Sequence, residues 1–186
     1  MKINYLTIRK SILVIILGFL SFAAVAAVGT FLWVQTWKIY QFPDNQGFIK
    51  YPKTWNMSVD VIGNGISASL GDFKVIINRK YPARDITTAE NDAKASIQKY
   101  TGAGFNEQFK LSEEIAYSKT RTETTDKYLA GQFIEVAHKG YVYNFQFYYL
   151  NKGILSLWEK FIYSLMIHTI YFNPTASSTT LHEPSY

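Results

Sequence analysis

The chain has 186 residues and a mass of 21.3 kDa, which leaves room for one membrane anchor and one domain of ordinary size but not for two catalytic domains. It contains no cysteine, and this excludes disulfides, thiolate nucleophiles and cysteine metal sites. The formal net charge of +5 falls to +2 once Lys2, Arg9 and Lys10 are set aside, since 16 basic residues then face 14 acidic ones; so even a balance predicts no nucleic-acid partner.

From Ser11 to Trp37 there is no Asp, Glu, Lys or Arg, and Ile12 to Val34 is dominated by Ile, Leu, Val, Phe and Ala. As a helix this run is roughly 35 Å long, enough to cross a hydrocarbon core of about 30 Å. Lys2, Arg9 and Lys10 precede it closely whereas Lys38 alone follows, so the charge asymmetry keeps the N-terminus inside and places the rest beyond the membrane. Residues 1–10 therefore read as a cytoplasmic N-terminus and residues 11–37 as a single-pass signal-anchor of the cell membrane, with Trp33, Trp37 and Tyr40 suited to the outer interface. Two alternatives stay open. A signal peptidase could act at the Ala-x-Ala match of Ala24 and Ala26, although the apolar run continues past it through Val34, and the segment could be a buried core helix. Ala23 with Ala27, and separately Gly18 and Gly29, offer small surfaces to a neighbouring membrane helix.

Residues 38–45 read as a polar-aromatic connector, 46–173 as the folded domain and 174–186 as a flexible tail rich in Ser, Thr and Pro. Within the domain, Met57 to Val61 and Ile66 to Leu70 are β-type runs flanking Gly63-Asn64-Gly65, and Phe73 to Asn78 is another strand. Thr87 and Glu90 form a capping-box pattern, after which Ala89, Ala93, Ile97 and Tyr100 recur at helical spacing; a helix over about 88–101 follows, with Gly102 or Gly104 as its stop. Lys110 to Lys119, Tyr128 to His138 and Tyr141 to Leu150 read as strands. A two-residue turn at Lys139-Gly140 sets Val136 opposite Tyr143 and Ile134 opposite Phe145 on one face, with Glu135 opposite Asn144 on the other. Ile154 to His168 carries apolar residues at 154, 155, 157, 158, 161, 162, 165 and 166, which predicts a helix lying on the sheet with Trp158 in the core. The order of elements is that of an α+β fold, an antiparallel sheet with one helix after the first strands and one closing C-terminal helix.

Gly47-Phe48-Ile49-Lys50-Tyr51-Pro52-Lys53-Thr54-Trp55 resembles the first strand and Tyr-Pro-x-x-Trp turn of the PsbP-like family, named for a lumenal subunit of photosystem II. The likeness extends in element order from about Gln46 to Phe172, although Thr169-Ile170-Tyr171-Phe172 stands where that family has a Ser-Phe-x-Phe-like strand. What the resemblance implies is a scaffold more than an activity. Its relatives include photosystem accessory subunits, a nuclear-import cofactor and bacterial lipoproteins, and most look like binding modules. In that family the turn ends the first strand, which implies that Trp55 is a buried structural residue closing one end of the sheet.

Gly63-Asn64-Gly65-Ile66-Ser67-Ala68 matches a nucleotide fingerprint in letters only, since β-type residues follow where a helix is needed; no cofactor is expected. His138, His168 and His182 are the only histidines and are not at metal-ligand spacing, so no metal is expected. Glu113 and Glu114 could be drawn beside Glu123 or Asp126 as an acid-base pair, yet neighbours on a strand point to opposite faces. Ser67 and Ser69 lack a nucleophile-elbow context. Aromatic residues carry more weight: of 14 tyrosines, Tyr141, Tyr148 and Tyr149 stand where at least one must face away from the core, and they form the candidate contact surface. These features predict a membrane-anchored, extracytoplasmic, non-enzymatic binding or assembly module with a protein partner in the envelope. The alternatives are a cell-envelope hydrolase with a site assembled from scattered residues, and a purely structural subunit of a membrane complex. Oligomeric state is left open.

Overall fold

The computed structural model describes residues 5–62, 65–72, 74–82, 86–99, 104–121, 130–150 and 154–174. The chain forms two units, residues 1–38 and 39–186. The first is a single helix, α1 (Tyr5–Gln35), whose stretch Ile12–Gln35 is long and apolar enough to cross a membrane. None of that stretch is buried, which is compatible with an anchor or a signal sequence.

The second unit is α+β. In chain order it contains β1 (Lys38–Gln41), a 3₁₀ turn at Pro43–Asn45, β2 (Gly47–Tyr51), β3 (Met57–Ile62), β4 (Gly65–Leu70), β5 (Val75–Pro82), α2 (Ile86–Gln98), β6 (Gly104–Leu111), β7 (Glu114–Arg121), β8 (Gly131–His138), β9 (Tyr141–Tyr148), α3 (Ile154–His168) and β10 (Tyr171–Phe172). Seven strands form one sheet in the order β3-β4-β5-β9-β8-β7-β6, and β1-β2-β10 form a second, smaller one. The pairings of the large sheet are all antiparallel. At its centre Lys139 and Gly140 both have positive φ, 48° and 79°, which is the twist a two-residue hairpin turn requires. The resulting register pairs Ile134 with Phe145, Glu135 with Asn144 and Val136 with Tyr143, as the alternation predicts.

That register divides the sheet into two chemically different faces. On one, Val75, Ile77, Ile134, Val136, Tyr143, Phe145 and Phe147 are buried. Phe42, just beyond β1, and Phe172 of β10 cover them, the Phe42 ring lying 5.3 Å from Tyr143 and 5.4 Å from Phe172, while α3 covers them through Tyr163, 5.4 Å from Phe147. Each large side chain sealed there contributes about 1.5–3 kcal/mol. On the opposite face α2 sits close to the sheet, because its inward residues Ala89 and Ala93 are small enough to rest on Ala137 and Val142. Ile97 is buried one turn further on, as the helical spacing predicts, and Tyr100 lies outside the described residues.

Four expectations need correction. The folded unit begins at Ile39, because the supposed connector supplies β1 and buries Tyr40 and Phe42. The single strand expected from Lys110 is a hairpin, β6 and β7, which reverses at Ser112 with φ 57°. Trp55 is half-buried rather than sealed: its ring lies over Gly71, where an added Cβ would come within 2.6 Å of it, and meets Tyr163 edge-on at 6.4 Å. Trp158, expected in the core, is 54 % exposed. The inward face of α3 is instead Glu159, Ile162, Tyr163, Met166 and Ile167.

Candidate functional site: the outer face of the closing helix

Tyr141, Tyr148 and Tyr149 do not form one surface. Tyr141 and Tyr148 have opposite parity on β9 and so point to opposite faces of the sheet. Tyr141 is half-buried beneath the Arg79 guanidinium, 4.6 Å above its ring, and Arg79 is itself ion-paired to Asp44. The Tyr148 hydroxyl donates to Gln146 and its ring meets Phe133 edge-on at 5.9 Å. Tyr149 stacks on Tyr163 at 5.9 Å, with Lys160 Nζ 5.3 Å above the Tyr149 ring. Burial pushes the hydroxyls of Tyr148 and Tyr149 above the ordinary tyrosine range, so both stay neutral at physiological pH.

The polar side of the sheet holds a closed network under α2. Glu135 is fully buried, and its Oε1 accepts hydrogen bonds from Ser96 Oγ and Asn144 Nδ2, both at 2.8 Å. Lys80 Nζ lies 3.3 and 3.4 Å from the two carboxylate oxygens and donates to Ser96 Oγ at 2.8 Å. Asn78 and Gln146 in turn donate to Asn144 Oδ1. Burial raises the Glu135 carboxyl above the ordinary carboxylate range, and Lys80, Ser96 and Asn144 pull it back. Because Ser96 belongs to α2 and the other members to β5, β8 and β9, the network clasps the helix to the sheet. Its donors and acceptors are spent on one another, which suits a structural role.

Two further groupings have chemical potential. His138 is the last residue of β8 and fully buried: Nδ1 lies 2.6 Å from Glu114 Oε1, the ring packs 4.8 Å from Phe172, and Nε2 has no hydrogen-bond partner among the described residues. Glu113 stands exposed in the adjoining turn, so the two glutamates are separated; Glu123, Asp126 and His182 lie outside the described residues. A shallow cleft of about 200 Å³ is lined by Glu107, Phe109, Gln132, Ser164, Ile167 and His168. There His168 Nδ1 is held by the Ser164 carbonyl at 2.6 Å, a helix-end contact that fixes the ring. Among the described residues no three His, Asp or Glu side chains converge. Gly65 to Leu70 is a strand, β4, so the glycine-rich match has no helix N-terminus to receive a phosphate.

The outer face of α3 is the feature that the fold leaves open. Leu157 is 64 % exposed, Trp158 54 % and Phe161 41 %, and the rings of Trp158 and Phe161 pack together at 5.5 Å. Lys160 borders this face and links it to Tyr149, the one sequence-designated tyrosine that adjoins it. Beyond Tyr149 the aromatic series continues through Tyr163 to Trp55, over which Lys74 Nζ lies at 5.5 Å. Sequence reasoning missed the surface by placing Trp158 inside. The signal was present, since eight apolar positions between 154 and 166 span about half the helix circumference, more than one packing face needs. A second exposed apolar row, Met57, Val59 and Val61, runs along β3 at the edge of the large sheet, with Asp60 on the opposite face of the strand.

Comparison of the chain with protein-family models, curated proteins and solved structures finds no match.

Proposed function

We propose that the chain is a membrane-anchored binding or assembly module without enzymatic activity, oriented with its N-terminus in the cytoplasm and its α+β domain on the extracytoplasmic side. The observation that carries this reading is the outer face of α3, where Leu157, Trp158 and Phe161 present contiguous apolar and aromatic surface to solvent. Grouped exposure of this kind marks a contact site, since scattered single residues are ordinary whereas clustered aromatics are costly to leave wet. Orientation rests on Lys2, Arg9 and Lys10 before α1, and membrane attachment on α1 itself. The PsbP-like scaffold is part of the same proposal and rests on the Tyr51-Pro52-Lys53-Thr54-Trp55 turn.

The absence of native cysteine makes a direct test available. Full-length W158C, F161C and K94C are made one at a time, Lys94 being an exposed residue of α2, and intact cells are treated with a membrane-impermeant thiol reagent. The expected outcome is rapid labelling at 94 and slow labelling at 158 and 161. Position 94 reacting only after lysis refutes the orientation. Equal rates at all three positions refute the contact surface.

A further inference from the structure

We infer that the outer face of α3 is seated in the headgroup region of the lipid bilayer that holds α1, giving the domain a second, interfacial membrane contact. The inference deepens the proposed contact surface and depends on it.

Three observations choose lipid over a protein partner. The first is charge. Glu159 is the only acidic residue of α3 and it is turned inward, 8 % exposed, so the outward side carries Lys160 and no carboxylate of its own. A basic, aromatic and aliphatic face complements anionic headgroups, and long lysine stems can lie along apolar surface with their ammonium groups in water. Lys160 Nζ over the Tyr149 ring and Lys74 Nζ over the Trp55 ring set positive charge beside this aromatic surface.

The second is extent. Leu157, Trp158 and Phe161 occupy about one and a half turns of a 15-residue helix. A stable protein interface needs roughly 800 Å² on each partner and close shape complementarity. A small wedge of Trp, Phe and Leu needs neither when its partner is a fluid interface, where tryptophan in particular is favoured.

The third is the tether. Only Thr36 and Trp37 stand between the end of α1 at Gln35 and the start of β1 at Lys38, a covalent reach of roughly 10 Å. With α1 in the bilayer, a membrane surface is permanently within range of the domain. At so high an effective concentration, a contact too weak to recruit a free protein is populated.

The test uses the full chain reconstituted into vesicles of phosphatidylcholine and phosphatidylglycerol that contain no other protein. W158C, F161C and K94C each carry a nitroxide, and collision with oxygen is compared with collision with a water-soluble nickel chelate. Impermeant thiol labelling of unmodified samples is measured in parallel, on the outward-facing molecules. Sites 158 and 161 are expected to be oxygen-accessible and nickel-poor, with 94 the reverse. If the docked state is about nine-tenths populated, labelling at 158 and 161 is about tenfold slower than at 94. Replacing phosphatidylglycerol by phosphatidylcholine, or introducing K160E, is expected to raise the labelling rate at 161. Thermal melting of each variant confirms that the fold is intact.

Water-like behaviour of 158 and 161 in these vesicles overturns the inference. If the same positions are nevertheless shielded in native cells, a protein covers the face, and the proposed contact surface stands without its lipid occupant. Exposure in both settings removes both.

Discussion

Replacing Glu135 by Gln tests the network under α2 most sharply. The carboxylate is fully buried, and burial holds its pKa above the ordinary 4.5 despite Lys80, Ser96 and Asn144. The native state therefore binds this proton more tightly than the unfolded chain does. Its stabilising contribution is fully present below about pH 4.5 and is lost as pH rises through the folded value. Each pH unit within that window is worth about 1.4 kcal/mol, or roughly 3–6 °C in melting temperature for a chain of this size. E135Q preserves shape and the acceptor for Ser96 and Asn144 but cannot titrate. Thermal melting of the full chain in detergent, from pH 4 to pH 8, should show wild type losing stability relative to E135Q as pH rises. E135A is a calibrating control: it strips the acceptor from two 2.8 Å hydrogen bonds and should cost about 3–6 kcal/mol, at about 1.5–3 kcal/mol per bond to a charged group. Parallel pH profiles for wild type and E135Q would falsify the claim that burial perturbs this carboxyl.

Other substitutions separate the two sides of α3 and the support of Trp55. W158A should change stability by no more than about 0.5 kcal/mol, whereas Y163F, which removes the hydroxyl donating to the Tyr148 carbonyl, should cost about 1–3 kcal/mol; reversed magnitudes in denaturant melts would mean that the helix is rotated. G71A meets both a φ of 62° and the Trp55 ring, so a loss of at least about 1–2 kcal/mol is expected, partly recovered in the W55A background. Additivity of the two changes would show that the ring does not rest on Gly71. Changing Lys2, Arg9 and Lys10 together to Glu should produce a mixed orientation, read as partial protection of K94C from impermeant thiol reagent in intact cells.

Much of the architecture was legible from local pattern. The helix α1 follows from an unbroken apolar run, and the Ala89-Ala93-Ile97 stripe of α2 and the β8-β9 register follow from the periodicity of their residues. At the last of these, a two-residue turn and alternating side chains leave no freedom, because a slip of one position would exchange Ile134, Val136, Tyr143 and Phe145 with Glu135 and Asn144. The reversal at Ser112 was not legible, since it depends on a non-glycine residue adopting positive φ without a marked turn sequence. The strand β1 was hidden for a related reason. Its four residues show no alternation of their own, and Phe42 beyond them is buried only because Tyr143, Phe145 and Phe172 surround it.

Which apolar residues of the candidate site face outward was decided by tertiary structure. The apolar residues of α3 cover about half its circumference, so its sequence permits a range of rotations about the helix axis. What selects one is the sheet beneath: Tyr163 sits between Phe147 and Tyr149 with its hydroxyl on the Tyr148 carbonyl, a buried polar group that must find a partner. With Tyr163 held there, the same rotation turns Glu159 inward and carries Leu157, Trp158 and Phe161 to the outside. The identity of those residues is local, but their exposure is a property of the strand they pack beside.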